Sequence, residues 1–202
     1  TSIRSQGTRP ANGLVAILAY TPGEEDFIDA NGNNVYDVGE IFTDLGNAYR
    51  DDNFSNTFDT GEFVVPRSGA VVCAGGLNGR ANTCDGVWGA ADVRALQMVV
   101  FASGEATISS LATSRSGTVG FTVADVNGNS MPTGTTIAVV GRVGGTTGSC
   151  TATVTPAIIP NSVGPVRATV IAASTCLSGD FVDITVTSPR GVVTPQTFTL
   201  TP

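Results

Sequence analysis

Two stretches of twelve residues place oxygen-bearing side chains at the same intervals: DANGNNVYDVGE at 29–40 and DDNFSNTFDTGE at 51–62. Both carry Asp at position 1, Asn at 3 and 6, an aromatic ring at 8, Asp at 9, Gly at 11 and Glu at 12, so the segment repeats with a period of 22. Oxygens recurring at alternate positions of a tight loop are what a hard divalent cation needs. Calcium takes six to eight of them at about 2.3–2.6 Å. The first copy would supply Asp29, Asn31, Asn33, the Val35 carbonyl, Asp37 and Glu40. The second would supply Asp51, Asn53, Ser55, the Thr57 carbonyl, Asp59 and Glu62. Two calcium sites are therefore expected, the first tighter because an amide oxygen replaces a hydroxyl at position 5.

These ligand positions coincide with 1, 3, 5, 7, 9 and 12 of an EF-hand loop, whose terminal Glu binds through both oxygens and favours calcium over magnesium. Position 6, glycine in the EF-hand, is Asn34 in one copy and Asn56 in the other. Asparagine is the non-glycine residue best suited to a left-handed backbone. No helices are expected at the flanks, because Thr21-Pro22-Gly23 precedes the first loop and Phe63-Val64-Val65-Pro66 follows the second. The competing reading is a pair of solvated Asx-turn loops, acidic for solubility. Among the side-chain ligands only Asn33 and Ser55 differ in type between the copies, which favours calcium. Asp26, Asp44, Asp52 and the Glu24-Glu25 pair lie nearby and could add ligands or stay exposed.

Charge supports this reading. Between Glu24 and Glu62 there are eleven acidic residues and one basic residue, Arg50, while the rest of the chain carries a small positive excess. A segment that repels itself so strongly needs cations or stays loose. The net charge of −7 argues against nucleic acid, which calls for a basic footprint.

Missing residue types exclude much chemistry. The chain has no histidine, and every basic residue is arginine. That removes Ser-His-Asp and Cys-His nucleophiles, phosphate-loop lysines and Schiff bases. Paired carboxylates could still hydrolyse glycosides. The acidic residues fall in calcium register instead, so an enzyme is not expected. Trp88 could stack on a sugar or pack over a neighbouring disulfide. The glycines at 141, 144, 145 and 148 look superficially like a phosphate cradle, yet no helix follows them, and a hairpin loop is expected.

Four cysteines, Cys73, Cys84, Cys150 and Cys176, show no CxxC spacing. An even count suits two local disulfides, Cys73–Cys84 and Cys150–Cys176, although four cysteines allow three pairings. Disulfides point to an oxidising, extracellular setting. Buried free thiols in a cytosolic protein are the alternative. The chain begins at Thr1 with no charged-then-apolar leader, so a signal peptide is expected to be removed or to lie outside it. No apolar run approaches the roughly 20 residues that span a bilayer.

Glycine, proline and β-branched residues predict an all-β chain. Residues 13–20 read as a mostly buried strand. Residues 92–102 are ambiguous but favour a strand, and 67–89 form a disulfide-stapled loop. A boundary near 103–104 separates an N-terminal β-rich domain, 1–104, carrying the acidic insertion 24–62, from a second domain, 105–202. There, runs at 106–112, 118–124, 135–142, 150–155, 165–172, 181–187 and 196–201 alternate apolar and polar residues between turns. Seven short strands in about a hundred residues are the pattern of a β-sandwich, with Cys150 pointing inward.

The segment VADVNGNSMPTGTTIAV (123–139) resembles the turn between early strands of bacterial immunoglobulin-like domains of the invasin/intimin type. YTPGEEDFIDANGNNVYDVGE and RANTCDGVWGAADVR are similar to segments of secreted or lipid-anchored multi-domain Ig-like proteins of proteobacteria. The resemblance implies Ig-like β-sandwich modules at a bacterial cell surface, acting as structural spacers or in adhesion. Neighbouring Ig-like domains or subunits, or a cell-surface or glycan ligand, would be the partners. It brings no catalytic residues. A carbohydrate- or ligand-binding accessory module and a subunit of a surface filament are the other expectations.

Overall fold

The computed structural model describes residues 10–67, 71–73, 79–109, 118–145 and 148–201. Among them there is no helix, and nine strands carry the fold. The strands are β1 (Leu14–Glu24), β2 (Ala90–Val100), β3 (Ala106–Ser109), β4 (Thr118–Asp125), β5 (Thr136–Arg142), β6 (Ala152–Thr155), β7 (Val166–Ala172), β8 (Phe181–Thr187) and β9 (Val193–Thr199). The chain divides into two compact units. One is Leu14–Val99, and the other joins Val100–Pro202 to the residues preceding Leu14.

The second unit is a sandwich of two antiparallel sheets, ordered β3-β4-β7-β6 and β5-β8-β9. Period-two alternation in the sequence decides which side chains enter the core. Val119, Phe121 and Val123 of β4 point inward, as do Ala168 and Val170 of β7 and Val182, Ile184 and Val186 of β8. Together with Ile137, Ile159 and Leu200 they form one continuous apolar cluster. Cys150 is buried in that cluster and joined to Cys176, so the bridge ties the approach to β6 to the turn after β7. Of the expected 106–112 strand, residues 110–112 lie outside the described residues. β8 coincides with its expected run. β9 begins three residues ahead of the expected 196, passing through Pro195. A proline without an N–H is admissible there because β9 lies at the edge of its sheet.

One turn of this unit is set by a carboxylate. Asp180 accepts the N–H groups of Leu177 at 2.8 Å and Gly144 at 2.9 Å, and these bonds hold its carboxyl below the usual range. A depressed folded pKa means that the contribution is complete above the ordinary carboxylate value and disappears as pH falls through the lowered one. Asp180→Asn is therefore expected to lower the urea midpoint at pH 7. The gap from the parent should begin to narrow as pH falls below the ordinary carboxylate range and close only below the lowered value, where the parent's carboxylate also protonates. A gap independent of pH would refute the ionic role.

Among the described residues the first unit has a single sheet, the β1–β2 ribbon. β1 runs past Tyr20 through Pro22 to Glu24, longer than the expected 13–20, and none of its side chains is fully buried. The expectation of a mostly buried strand is corrected accordingly. β1 has one partner strand, β2, whose own side chains alternate between covered and open positions. The Cys73–Cys84 bridge is formed as expected. It lies in a loop of which residues 68–70 and 74–78 are outside the described residues.

Candidate metal-binding loops

Each twelve-residue loop hangs from a pair of bridged residues. Phe27 bridges Phe42 around the first loop, and Tyr49 bridges Val64 around the second. The backbone bonds that close them correspond one for one. Ile28 N–H reaches the Ile41 carbonyl at 2.7 Å and Thr43 N–H the Asp26 carbonyl at 2.9 Å. Twenty-two residues later, Arg50 bonds Phe63 and Val65 bonds Ala48, both at 2.8 Å. Extended chain, not helix, thus holds both ends.

The repeat extends to the dihedral angles. Position 4 is left-handed in both copies, Gly32 at φ 75° and Phe54 at 61°. Position 6 is likewise, with Asn34 at 59° and Asn56 at 60°. Position 11 is glycine at 107° and 105°, and a Cβ there would meet no neighbour, so backbone conformation and not space selects the residue. Asparagine can do the work of the EF-hand glycine at position 6 because it tolerates this region better than other side chains. Phe54 has no such excuse. Phe54→Gly should gain roughly 0.5–1 kcal/mol net, relief of left-handed strain less the added freedom of the unfolded chain. Thermal denaturation would measure it, and a loss of stability would show that the exposed ring has an important contact.

Within the first loop Asp29 accepts backbone N–H groups from Gly32 at 2.7 Å, Asn33 at 3.2 Å and Asn34 at 2.7 Å. These bonds, that from Asn34 foremost, lower its pKa. Glu40 accepts Ala30 N–H at 2.8 Å through one oxygen and Asp37 N–H at 2.9 Å through the other. Asn31 and Asn33 both turn their amide nitrogens to Asp37 Oδ2, at 2.7 and 2.8 Å. Three candidate ligand side chains therefore meet at one point. Rotating the two amides would present their oxygens to a cation there.

The second loop repeats this arrangement. Asp51 takes Ser55 N–H at 3.0 Å and Asn56 N–H at 2.7 Å, while Glu62 takes Asp52 N–H at 2.8 Å and Asp59 N–H at 3.0 Å. Asn53 Nδ2 and Ser55 Oγ both reach Asp59 Oδ2, at 2.8 and 3.0 Å, and the Ser55 hydroxyl also approaches the Thr57 carbonyl at 3.0 Å. Val35, at the matching carbonyl position of the first loop, leaves its side chain exposed. Asp52 pairs with Arg50 and points away from ligand duty. Asp51 is buried to 1% exposure, making the second loop the more deeply seated.

The aromatic ring at position 8 anchors each loop to its own stem. Tyr36 packs edge-on against Phe27 at 5.8 Å, and Phe58 against Tyr49 at 5.8 Å. Trp88 stacks on Tyr36 at 4.6 Å, and its indole N–H donates to the Glu25 carbonyl at 2.9 Å. One face of the indole is thus taken by a loop residue, not by a disulfide.

Carboxylate convergence differs from what the sequence suggests. Within each loop the Asp and Glu side chains are drawn toward surrounding N–H groups, and their oxygens do not gather into a triad within 4.8 Å. Such a triad does form from Glu25, Asp44 and Asp85. Asp85 was not singled out by its sequence context, and no spacing rule connects it to residues 25 and 44. A second grouping, Cys150, Cys176 and Asp180, has its sulfurs joined in the disulfide.

No protein-family model matches the chain, and no curated protein or solved structure matches it either.

Proposed function

We propose that this chain is a calcium-stabilised, extracellular Ig-like module of a bacterial surface protein, with a structural or adhesive role. The observation that carries the reading is the duplicated loop. Two segments of different sequence share their left-handed positions, their Glu-to-backbone bonds at positions 2 and 9, and their closing bridges. Solvated acidic turns have no reason to agree so closely. The donor set is oxygen throughout, which suits calcium and offers nothing to softer metals.

The Ig-like part rests on strand order. Lettered A to G, β3–β9 give A-B-E-D in one sheet and C-F-G in the other, the order of constant-type immunoglobulin domains. The Cys150–Cys176 bridge departs from their inter-sheet B–F disulfide. Two disulfides suit an oxidising compartment.

In this role Asp29, Asn31, Asn33, the Val35 carbonyl, Asp37 and Glu40 hold one ion, and the matching residues of the second loop hold another. Each ion would offset three mutually repelling carboxylates and stiffen the acidic segment. Extracellular modules bind calcium at about 10⁻⁴–10⁻³ M, a range that keeps them permanently loaded outside a cell. Calcium titration followed by calorimetry tests the assignment. Glu40→Gln and Glu62→Gln are each expected to remove one bound ion from the count. If neither substitution lowers it, the loops are not calcium sites.

A further inference from the structure

The Glu25–Asp44–Asp85 cluster lies outside both loops and joins three distant parts of the first unit. Glu25 ends the β1 region, Asp44 follows the first loop, and Asp85 follows Cys84 of the stapled loop. Glu25 is only 5% exposed. Its two oxygens accept Leu45 N–H at 2.8 Å and Gly89 N–H at 3.2 Å. Asp44 Oδ2 accepts Gly86 N–H at 2.8 Å, and Asp85 Oδ1 accepts Val87 N–H at 3.0 Å.

Two features make this more than a group of surface acids. Asp44 Oδ1 is fully buried and meets no hydrogen-bond donor among the described residues. A buried polar atom without a partner costs about 1–3 kcal/mol, more when charged, so native chains rarely leave one. The second feature is the absence of charge compensation. The ion pairs among the described residues are Arg50–Asp52, Arg67–Asp92 and Arg142–Asp183, none of which reaches this cluster. Burial raises the Glu25 pKa despite its two N–H bonds, with the charges of Asp44 and Asp85 adding to the effect. Three close carboxylates, one with an unused buried oxygen, require a cation or protons.

We infer that Glu25, Asp44 and Asp85 form a third calcium site, separate from the two loops. Three carboxylate ligands with water in the remaining positions meet the requirements of this hard cation. Its place is structural. It would fasten the end of β1 and the first loop to the disulfide loop, beside the indole of Trp88.

The test is calcium stoichiometry on the full chain, in two arms that separate this site from the loops. A variant with both loops disabled (Asp29→Asn, Glu40→Gln, Asp51→Asn, Glu62→Gln) is expected to retain one calcium ion, and retention of none would overturn the proposal. In the otherwise unaltered chain, Asp85→Asn, at an exposed position that folding tolerates, is expected to weaken one site at least tenfold. An unchanged isotherm would overturn the proposal as well. Retention of one ion by the loop-disabled variant, with no difference in count between it and the parent, would sink the loop assignment and leave the third site standing. If the cluster is satisfied by protons alone, both arms give the overturning result.

Discussion

Transfer from calcium at a hundred times its dissociation constant to EDTA is expected to destabilise the 14–99 unit by about 5 kcal/mol. A ligand that binds only the folded state stabilises it by about 2.7 kcal/mol when present at a hundred times its dissociation constant, and two loops double that figure. The metal-free unit has little to resist the loss. Among the described residues its one sheet is the β1–β2 ribbon, and eleven acidic side chains fall between Glu24 and Glu62, seven of them in the two loops. Limited proteolysis should begin cutting between those two residues once calcium is removed. Magnesium should restore little, because it resists the irregular, high-coordination geometry that a bidentate Glu provides. The 100–202 sandwich supplies the internal control, and its transition should not move. A melt and a cleavage pattern that ignore EDTA would remove the structural role assigned to calcium.

The second large effect belongs to the sandwich. Phe121→Ala is expected to cost about 3–5 kcal/mol, the range for truncating a fully buried aromatic ring. Phe121 is 1% exposed and occupies the inward row of β4 between Val119 and Val123, so its removal leaves a void in the shared apolar cluster of the two sheets. Since a domain of this size is stable by only about 5–15 kcal/mol, the variant should be largely unfolded in mild urea. Val140→Ala, on the outward side of β5, should shift the midpoint by no more than about 0.5 kcal/mol. Equal effects at the two positions would mean that the inward and outward faces are misassigned.

Much of the sandwich can be read directly from alternation. Val182, Ile184 and Val186 separated by Asp183 and Thr185 define β8 with its boundaries, because a strand with one face buried has a forced register. Boundaries fail where proline is taken as a stop. Pro22 and Pro195 both sit inside strands, which their edge positions permit. The loops are legible because duplication makes a weak pattern strong. Asn34 and Asn56 could be expected to be left-handed from their chemistry, whereas nothing about a phenylalanine suggests the same for Phe54. The Glu25–Asp44–Asp85 cluster is invisible in the chain. Residues 25, 44 and 85 share no periodicity and are brought together by tertiary bonds from Gly86 and Gly89.

The identical closing bridges have an evolutionary consequence. A copy that enters and leaves through the same pair of backbone bonds behaves as a cassette, returning the chain to its starting point with its direction reversed. Deleting the first 22-residue cassette would also remove Tyr36 and Asp44, and with them the stack on Trp88 and the bond to Gly86 that hold the stapled loop. A change in cassette number would therefore alter what holds the stapled loop as well as the number of acidic loops the chain carries.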